Sequence, residues 1–186
     1  NHVFGIDVWG FRAQHPEQAK IFDDAMSNLV GVVNQAILDG YDYSSFRKMV
    51  DVGGGNGSLL ASVLKLHPAM TGIVFDMPHV AERARQYITA AGLNGRCEFI
   101  GGDFFASVPG GADAYLISRV IHDWDDDRSI TILKNCRRAV SPESKLLLVE
   151  RVLPERAEHS ATAQTVFLAD LNMLVMTGGR ERTEAE

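Results

Sequence analysis

The residues with most chemistry to offer lie in one short run, Ile121-His122-Asp123-Trp124-Asp125, which follows an apolar stretch from Ala114 through Leu116 and Ile117 to Val120. An imidazole at the carboxyl end of a strand is placed to act as a base. It titrates near pH ~6.5 while a phenol holds its proton to near ~10, so phenol deprotonation at neutral pH benefits from such a group. Glu150 ends the next apolar run, Leu146-Leu147-Leu148-Val149. On an adjacent strand its carboxylate comes toward His122, to orient the ring and stabilise its protonated form as the acid of a catalytic triad does. The other histidines lack such company: His67 precedes Pro68, His79 opens a helix, and His2, His15 and His159 lie in polar or terminal segments. Asp123, Asp125 and Asp127 match the first three ligand positions of a calcium loop, but Arg128 stands where that loop needs Gly and Lys134 where it needs Glu. Asp125 to Asp127 are expected to cap a helix N-terminus and complement its dipole, and no metal is expected.

A second group lies upstream. Val50 to Gly57 reads V-D-V-G-G-G-N-G, a strand running into a glycine loop. In an open parallel sheet a nucleoside ligand sits outside the carboxyl ends of the strands, against backbone amides and a helix N-terminus. The loop is Gly53-x-Gly55-x-Gly57 rather than G-x-G-x-x-G, with Ser58 or Leu60 where the dinucleotide fingerprint has its third glycine. S-adenosylmethionine, which has no pyrophosphate to cradle, fits this loop better than a dinucleotide. Asp76 follows the second strand about 20 residues on, where a carboxylate can accept from both ribose hydroxyls. Asp103 after the third strand sits on the same rim, placed for an adenine amino group, and Phe104 offers an apolar face to the ring.

These groups need a scaffold that brings strand ends together, and the hydrophobic pattern supplies one. From Pro16 to Leu38 apolar residues recur at steps of three or four (Ala19, Phe22, Met26, Leu29, Val30, Val33, Ile37), an amphipathic helix left at Gly40. Short apolar runs then alternate with helical stretches, with strands expected near 48–52, 72–75, 97–100, 114–118 and 145–150. Helices are expected near 57–66, 78–91, 127–139 and 164–176. Strand-helix-strand units of this length imply parallel strands joined by crossover helices, hence an α/β, doubly wound, Rossmann-like and mostly parallel sheet. The chain has 186 residues, 46% hydrophobic and 23% charged, and its net charge of −6 gives no basic surface for nucleic acid. Cys97 and Cys136, far apart and without metal-ligand spacing, read as reduced core thiols of a cytoplasmic protein. No apolar run is long enough to span a membrane.

Taken together, Asp51-Val-Gly-Gly-Gly-Asn-Gly57, Val74-Phe-Asp-Met-Pro-His-Val80, Gly101-Gly-Asp-Phe104, His122-Asp-Trp124, Leu148-Val-Glu150 and Gly178-Gly-Arg-Glu-Arg-Thr183 resemble the caffeate and acetylserotonin type of S-adenosylmethionine-dependent O-methyltransferase. That family includes bacterial members acting on polyketide and phenazine hydroxyls, and the resemblance covers nearly the whole chain. It implies His122 as general base flanked by Glu150 and Glu181, a small aromatic hydroxyl as acceptor, and Gly53, Gly55, Asp76, Asp103 and Phe104 as cofactor contacts. A lysine that often helps hold the cofactor in plant members falls at Ser118, with the adjacent Arg119 expected on the other strand face. It also puts Phe22, Met26, Asn172 and Met173 along the acceptor pocket, although by pattern alone these four read equally as core or helix-face positions. The family implies a homodimer. Residues 1–45 are then the helical link to a dimerisation domain and 46–186 the cofactor-binding domain, with a further helix and an antiparallel strand pair expected beyond Glu186. Read this way the sequence is a fragment, starting at Asn1, and these 186 residues alone are not expected to turn over. A family-like protein using the bound cofactor for hydroxylation or decarboxylation, and a non-enzymatic cofactor-binding remnant, are the competing readings.

Overall fold

In a computed structural model, residues 5–6, 8–156 and 160–186 are described, with the backbone alone for 23–32 and 161–162. The chain opens with helices α1 (Val8–Gln14) and α2 (Pro16–Asp39). Strands β1 (Lys48–Val52), β2 (Thr71–Asp76), β3 (Cys97–Gly101), β4 (Ala114–Ser118) and β5 (Lys145–Val149) follow, joined in part by α3 (Ser58–Leu66), α4 (Ala81–Ala90) and α5 (Asp126–Ala139). The five strands form one sheet in the order β3-β2-β1-β4-β5, and every pairing is parallel. This is the expected doubly wound sheet. The chain winds outward from β1 through β2 and β3, then returns to the other side of β1 for β4 and β5, so the switch point falls between β1 and β4.

β1 is central because it has an apolar face on both sides. Met49 packs with Leu60 and Leu64 of α3, Val74 and Leu116, while Val50 and Val52 pack with Ile73, Phe75, Tyr115 and Ile117 and with Ile132 and Cys136 of α5. Met49, Val50 and Val52 are wholly excluded from solvent, each worth about 1.5–3 kcal/mol of transfer free energy. Cys97 and Cys136 are free and buried, as read from the sequence. The outer strand β5 leaves Leu146 and Leu148 largely exposed. Helix α6 (Ala161–Met176) starts earlier than its pattern indicated, because the Ser160 side chain caps it by accepting from the Ala163 amide at 3.1 Å.

Two features were not expected. α1 is a seven-residue helix containing Gly10, too short for its apolar spacing to register. A parallel pair of two-residue strands, β6 (Val152–Leu153) and β7 (Arg182–Thr183), holds Val152 opposite Arg182. That register brings the segment after Glu150 beside the segment after Glu181. No helix among the described residues is long and apolar enough to cross a membrane.

Candidate active site

The glycine loop leaves β1 at its carboxyl end, beside the switch point. Gly53, at φ 72°, donates its amide to the Phe75 carbonyl at 2.8 Å, and a Cβ there would lie 2.7 Å from Val120 Cγ2. Gly57, at φ 81°, precedes α3 and packs so close to β2 that a Cβ would meet Val74 Cγ2 at 2.7 Å. Gly57 thus makes the helix-to-strand approach that a third glycine makes in dinucleotide sites. The missing glycine at 58 or 60 therefore does not by itself separate the two loop types. Asp76 braces the turn, its Oδ2 accepting the Gly55 amide at 2.8 Å and its Oδ1 the Met77 amide at 2.6 Å.

A Cβ on Gly55 would meet nothing within 4 Å, so the loop faces open space there. Ser118 Oγ, across the switch point, is buried and has no hydrogen-bond partner among the described residues. Asp51, an acid inside an apolar strand that the sequence reading passed over, is 2% exposed. Burial first, then the Asp76 charge, pushes its carboxyl up to about 7 against the pull of Arg119. Arg119 does not continue the strand alternation: it has φ 54° and feels the charges of Glu150 and Asp51. Asp103 is exposed and accepts the Phe105 amide at 2.8 Å. Phe104 is half-buried beside Gly53, with its ring edge-on to Phe105 and Trp124.

His122 sits in a 3-10 turn (Ile121–Asp123) at the end of β4 and is 9% exposed. Its Nδ1 lies 3.1 Å from Glu181 Oε1 and 3.6 Å from Glu150 Oε2. The orienting bond therefore runs to Glu181, which only the resemblance had named, and not to Glu150 as the strand order alone indicated. Glu150 instead holds the turn, its Oε1 accepting the Val120 and Ile121 amides at 3.0 and 2.8 Å. A carboxylate accepts, so Nδ1 carries the proton and Nε2 keeps the lone pair. Burial alone would lower the His122 pKa, but the Glu181 hydrogen bond and the charges of Glu150 and Asp123 outweigh it, and the net shift is upward. Asp123 rises to about 6, chiefly through burial. Burial likewise raises Glu150, opposed by His122 and the two amides. The ring nitrogen and the two glutamate oxygens are of types that ligate divalent cations and lie within 4.8 Å of one another. A cation would have to displace the proton already shared by His122 and Glu181.

The acidic run after His122 behaves as the sequence indicated. Asp125 caps α5, accepting the Arg128 amide at 2.9 Å, and Asp126 and Asp127 fill its first turn. The unexpected α1 lies over this region: Trp9 stacks on Trp124 with centroids 5.8 Å apart, and Arg12 adds its charge at Asp123. The Arg12 guanidinium also sits 3.4 Å above the half-buried Phe22 ring, which links that acceptor-pocket candidate to the His122 turn. The Met26 side chain lies outside the described residues. Asn172 is exposed and Met173 half-buried on α6, so neither is a core residue. Among the described residues no hydrogen bond joins either side chain to His122.

The whole chain, residues 1–186, matches the family described as an O-methyltransferase domain. The chain belongs to that family. Among curated relatives of this O-methyltransferase domain, a phenazine O-methyltransferase of Lysobacter antibioticus is 45% identical over 98% of the chain, which covers 52% of the relative. The solved structure of mitomycin 7-O-methyltransferase superposes with a TM-score of 0.91 at 39% identity, over 98% of this chain and 52% of that one. An O-methyltransferase from neocarzinostatin biosynthesis, solved with S-adenosylmethionine and 2-hydroxy-5-methyl naphthoic acid, gives 0.88 at 33% identity, over 98% and 53%. The chain spans about half the length of the curated relatives it matches.

Proposed function

We propose that this chain is the catalytic portion of an S-adenosylmethionine-dependent O-methyltransferase, which methylates a hydroxyl of a small aromatic acceptor with His122 as general base. The observation that carries the reading is the buried His122–Glu181 hydrogen bond, at 3.1 Å, on the same sheet edge as the glycine loop. When bound, the cofactor supplies an electrophilic methyl group on its sulfonium. Gly53, Gly55, Asp76, Asp103, Phe104 and Ser118 would hold it, and among the described residues the Ser118 hydroxyl has no partner and Gly55 has an open face. His122 Nε2 takes the acceptor's hydroxyl proton as the oxygen attacks. Glu181 holds Nδ1–H and stabilises the imidazolium that results, while Glu150 keeps the turn in place and adds a second negative charge.

Relatives named for phenazine and mitomycin, and a neighbour holding a naphthoic acid, support a small aromatic acceptor. Phe22, Met26, Asn172 and Met173 belong to the acceptor pocket in this reading. Residues 1–45 form the helical link to a dimerisation domain and 46–186 the cofactor-binding domain of a homodimer. The test is His122→Ala in the full-length protein. Loss of a positioned base typically costs about 10²–10⁴-fold, so transfer of a labelled methyl should fall by at least that order while calorimetry shows S-adenosylmethionine affinity retained. Undiminished transfer overturns the base assignment.

A further inference from the structure

We infer that Arg182 is a positioning residue, which seats the His122 turn on the segment carrying Glu181 and so keeps the imidazole within reach of that carboxylate. A three-residue 3-10 turn satisfies few of its own carbonyls and is not held in one place by its internal bonds. Within the turn the Ile121 carbonyl accepts the Trp124 amide at 3.1 Å and Glu150 holds the Val120 and Ile121 amides; Arg182 adds the tie to the segment that carries Glu181. Its Nη1 donates to the Ile121 carbonyl at 3.2 Å and its Nη2 to the Trp124 carbonyl at 3.0 Å, the two carbonyls that bracket His122 and Asp123. The same Nη2 reaches Ser129 Oγ at 3.2 Å and Asp126 Oδ1 at 2.8 Å, which ties the fork to the first turn of α5.

The remainder of the segment is built to the same end. A Cβ on Gly179 would overlap the His122 carbonyl oxygen, so the backbone there is pressed against the turn. Glu181 donates its own amide to Asp170 on α6 at 2.9 Å, and β7 fixes Arg182 opposite Val152. Glu181 and Arg182 are consecutive: one meets the His122 ring and the other the main chain on either side of it. A surface ion pair does not account for this arrangement. The Arg182 side chain is 16% exposed against 59% for Asp126, and exposed pairs are worth little. Two of its bonds end on buried-turn carbonyls, and only a planar fork spans both. The charged groups facing His122 are Glu181 on this segment, Glu150 after β5 and Asp123 on its own turn, with Arg151 3.8 Å from Glu181.

The consequence for turnover rests on the methyl-transfer reading, but the placement of His122 does not. The experiment uses the full-length protein with Arg182→Ala, Arg182→Lys and Asp126→Asn. It follows the His122 imidazole by NMR titration, cofactor affinity by calorimetry, and methyl transfer. With the fork gone, His122 loses its close approach to Glu181, and its titration moves down toward 6.5. Misplacement of about 1 Å costs on the order of 10²-fold in turnover, so kcat falls by that order in Arg182→Ala with cofactor affinity unchanged. Arg182→Lys, which reaches one carbonyl at a time, and Asp126→Asn, which frees the outer end of the fork, give smaller shifts in the same direction. A folded Arg182→Ala with His122 titrating as in the wild type overturns the inference. Should that variant not fold, an unshifted titration in Arg182→Lys overturns it equally. Wild-type protein without methyl transfer but with the titration shift intact would overturn the functional reading alone.

Discussion

Replacing Glu181 by Gln is the cleanest single perturbation, because it keeps the shape of a 2%-exposed side chain and removes only its charge. The amide oxygen still accepts from His122 Nδ1 at the 3.1 Å position. What changes is the strength of the bond: hydrogen bonds to charged groups contribute about 1.5–3 kcal/mol and neutral ones about 0.5–1.5 kcal/mol. The difference, roughly 1–1.5 kcal/mol, is felt most when the ring is protonated, and at about 1.4 kcal/mol per decade it amounts to a fall of about tenfold in kcat. The pH profile carries a sign as well. Burial lowers the His122 pKa, Glu181 is the largest influence raising it, and the net is upward, so the base form is lost as pH falls through a midpoint above 6.5. Glu181→Gln therefore moves the acid limb of the pH–rate profile to lower pH, while the plateau drops. Methyl-transfer rates from pH 5 to 9 at saturating cofactor measure both effects. An acid limb that stays in place or moves upward, with an undiminished plateau, would refute the role given to Glu181.

The glycine loop and its acid give two further expectations. Gly57→Ala forces a left-handed backbone on a residue with a Cβ, at roughly 1–2 kcal/mol, and presses that atom on Val74 at roughly 1–3 kcal/mol more. Denaturant unfolding should show a loss of about 2–5 kcal/mol, and a smaller loss than the backbone cost alone would contradict the packing argument. Asp76→Asn leaves one of the Gly55 and Met77 amides without its carboxylate oxygen. Calorimetry should then show S-adenosylmethionine binding weaker by about tenfold or more, from the loss of a charge-assisted bond worth about 1.5–3 kcal/mol. Unchanged affinity would remove Asp76 from the cofactor site.

The sheet was legible because its inner strands β1, β2 and β4 are buried on both faces and so read as short apolar runs, such as Lys48-Met-Val-Asp-Val52 and Ala114-Tyr-Leu-Ile-Ser118, separated by helices with a longer period. His122 was legible for the same reason: it stands at the end of such a run. The partner of its ring was not. Which carboxylate comes nearest depends on β6 and β7, two residues each, too short to leave a pattern, and on Glu150 spending one oxygen on the Val120 and Ile121 amides. Strand order alone points to Glu150; Glu181 entered only through the motif around it. Trp9 and Arg12 escaped notice because α1 is held by its contacts with Trp124 and Phe22 rather than by any periodicity of its own. Asp51 left a readable sign, an acid in the middle of a buried strand.

The parallel pairing of Val152 with Arg182 has a bearing on how the molecule assembles. His122 and Glu181 are 59 positions apart, and the pair forms only after α6 has been laid down and the chain has come back to close a two-residue ladder. Loop closure over such a separation is slow, and so little pairing cannot resist local opening. The core sheet also has one distant pairing, β1 with β4, but its inner strands are five or six residues long and buried in the core, so it can be complete while His122 still lacks Glu181. Amide exchange should therefore find the 178–183 segment opening more readily than β1 or β4, with the His122–Glu181 pair breaking and reforming inside a molecule that stays folded throughout.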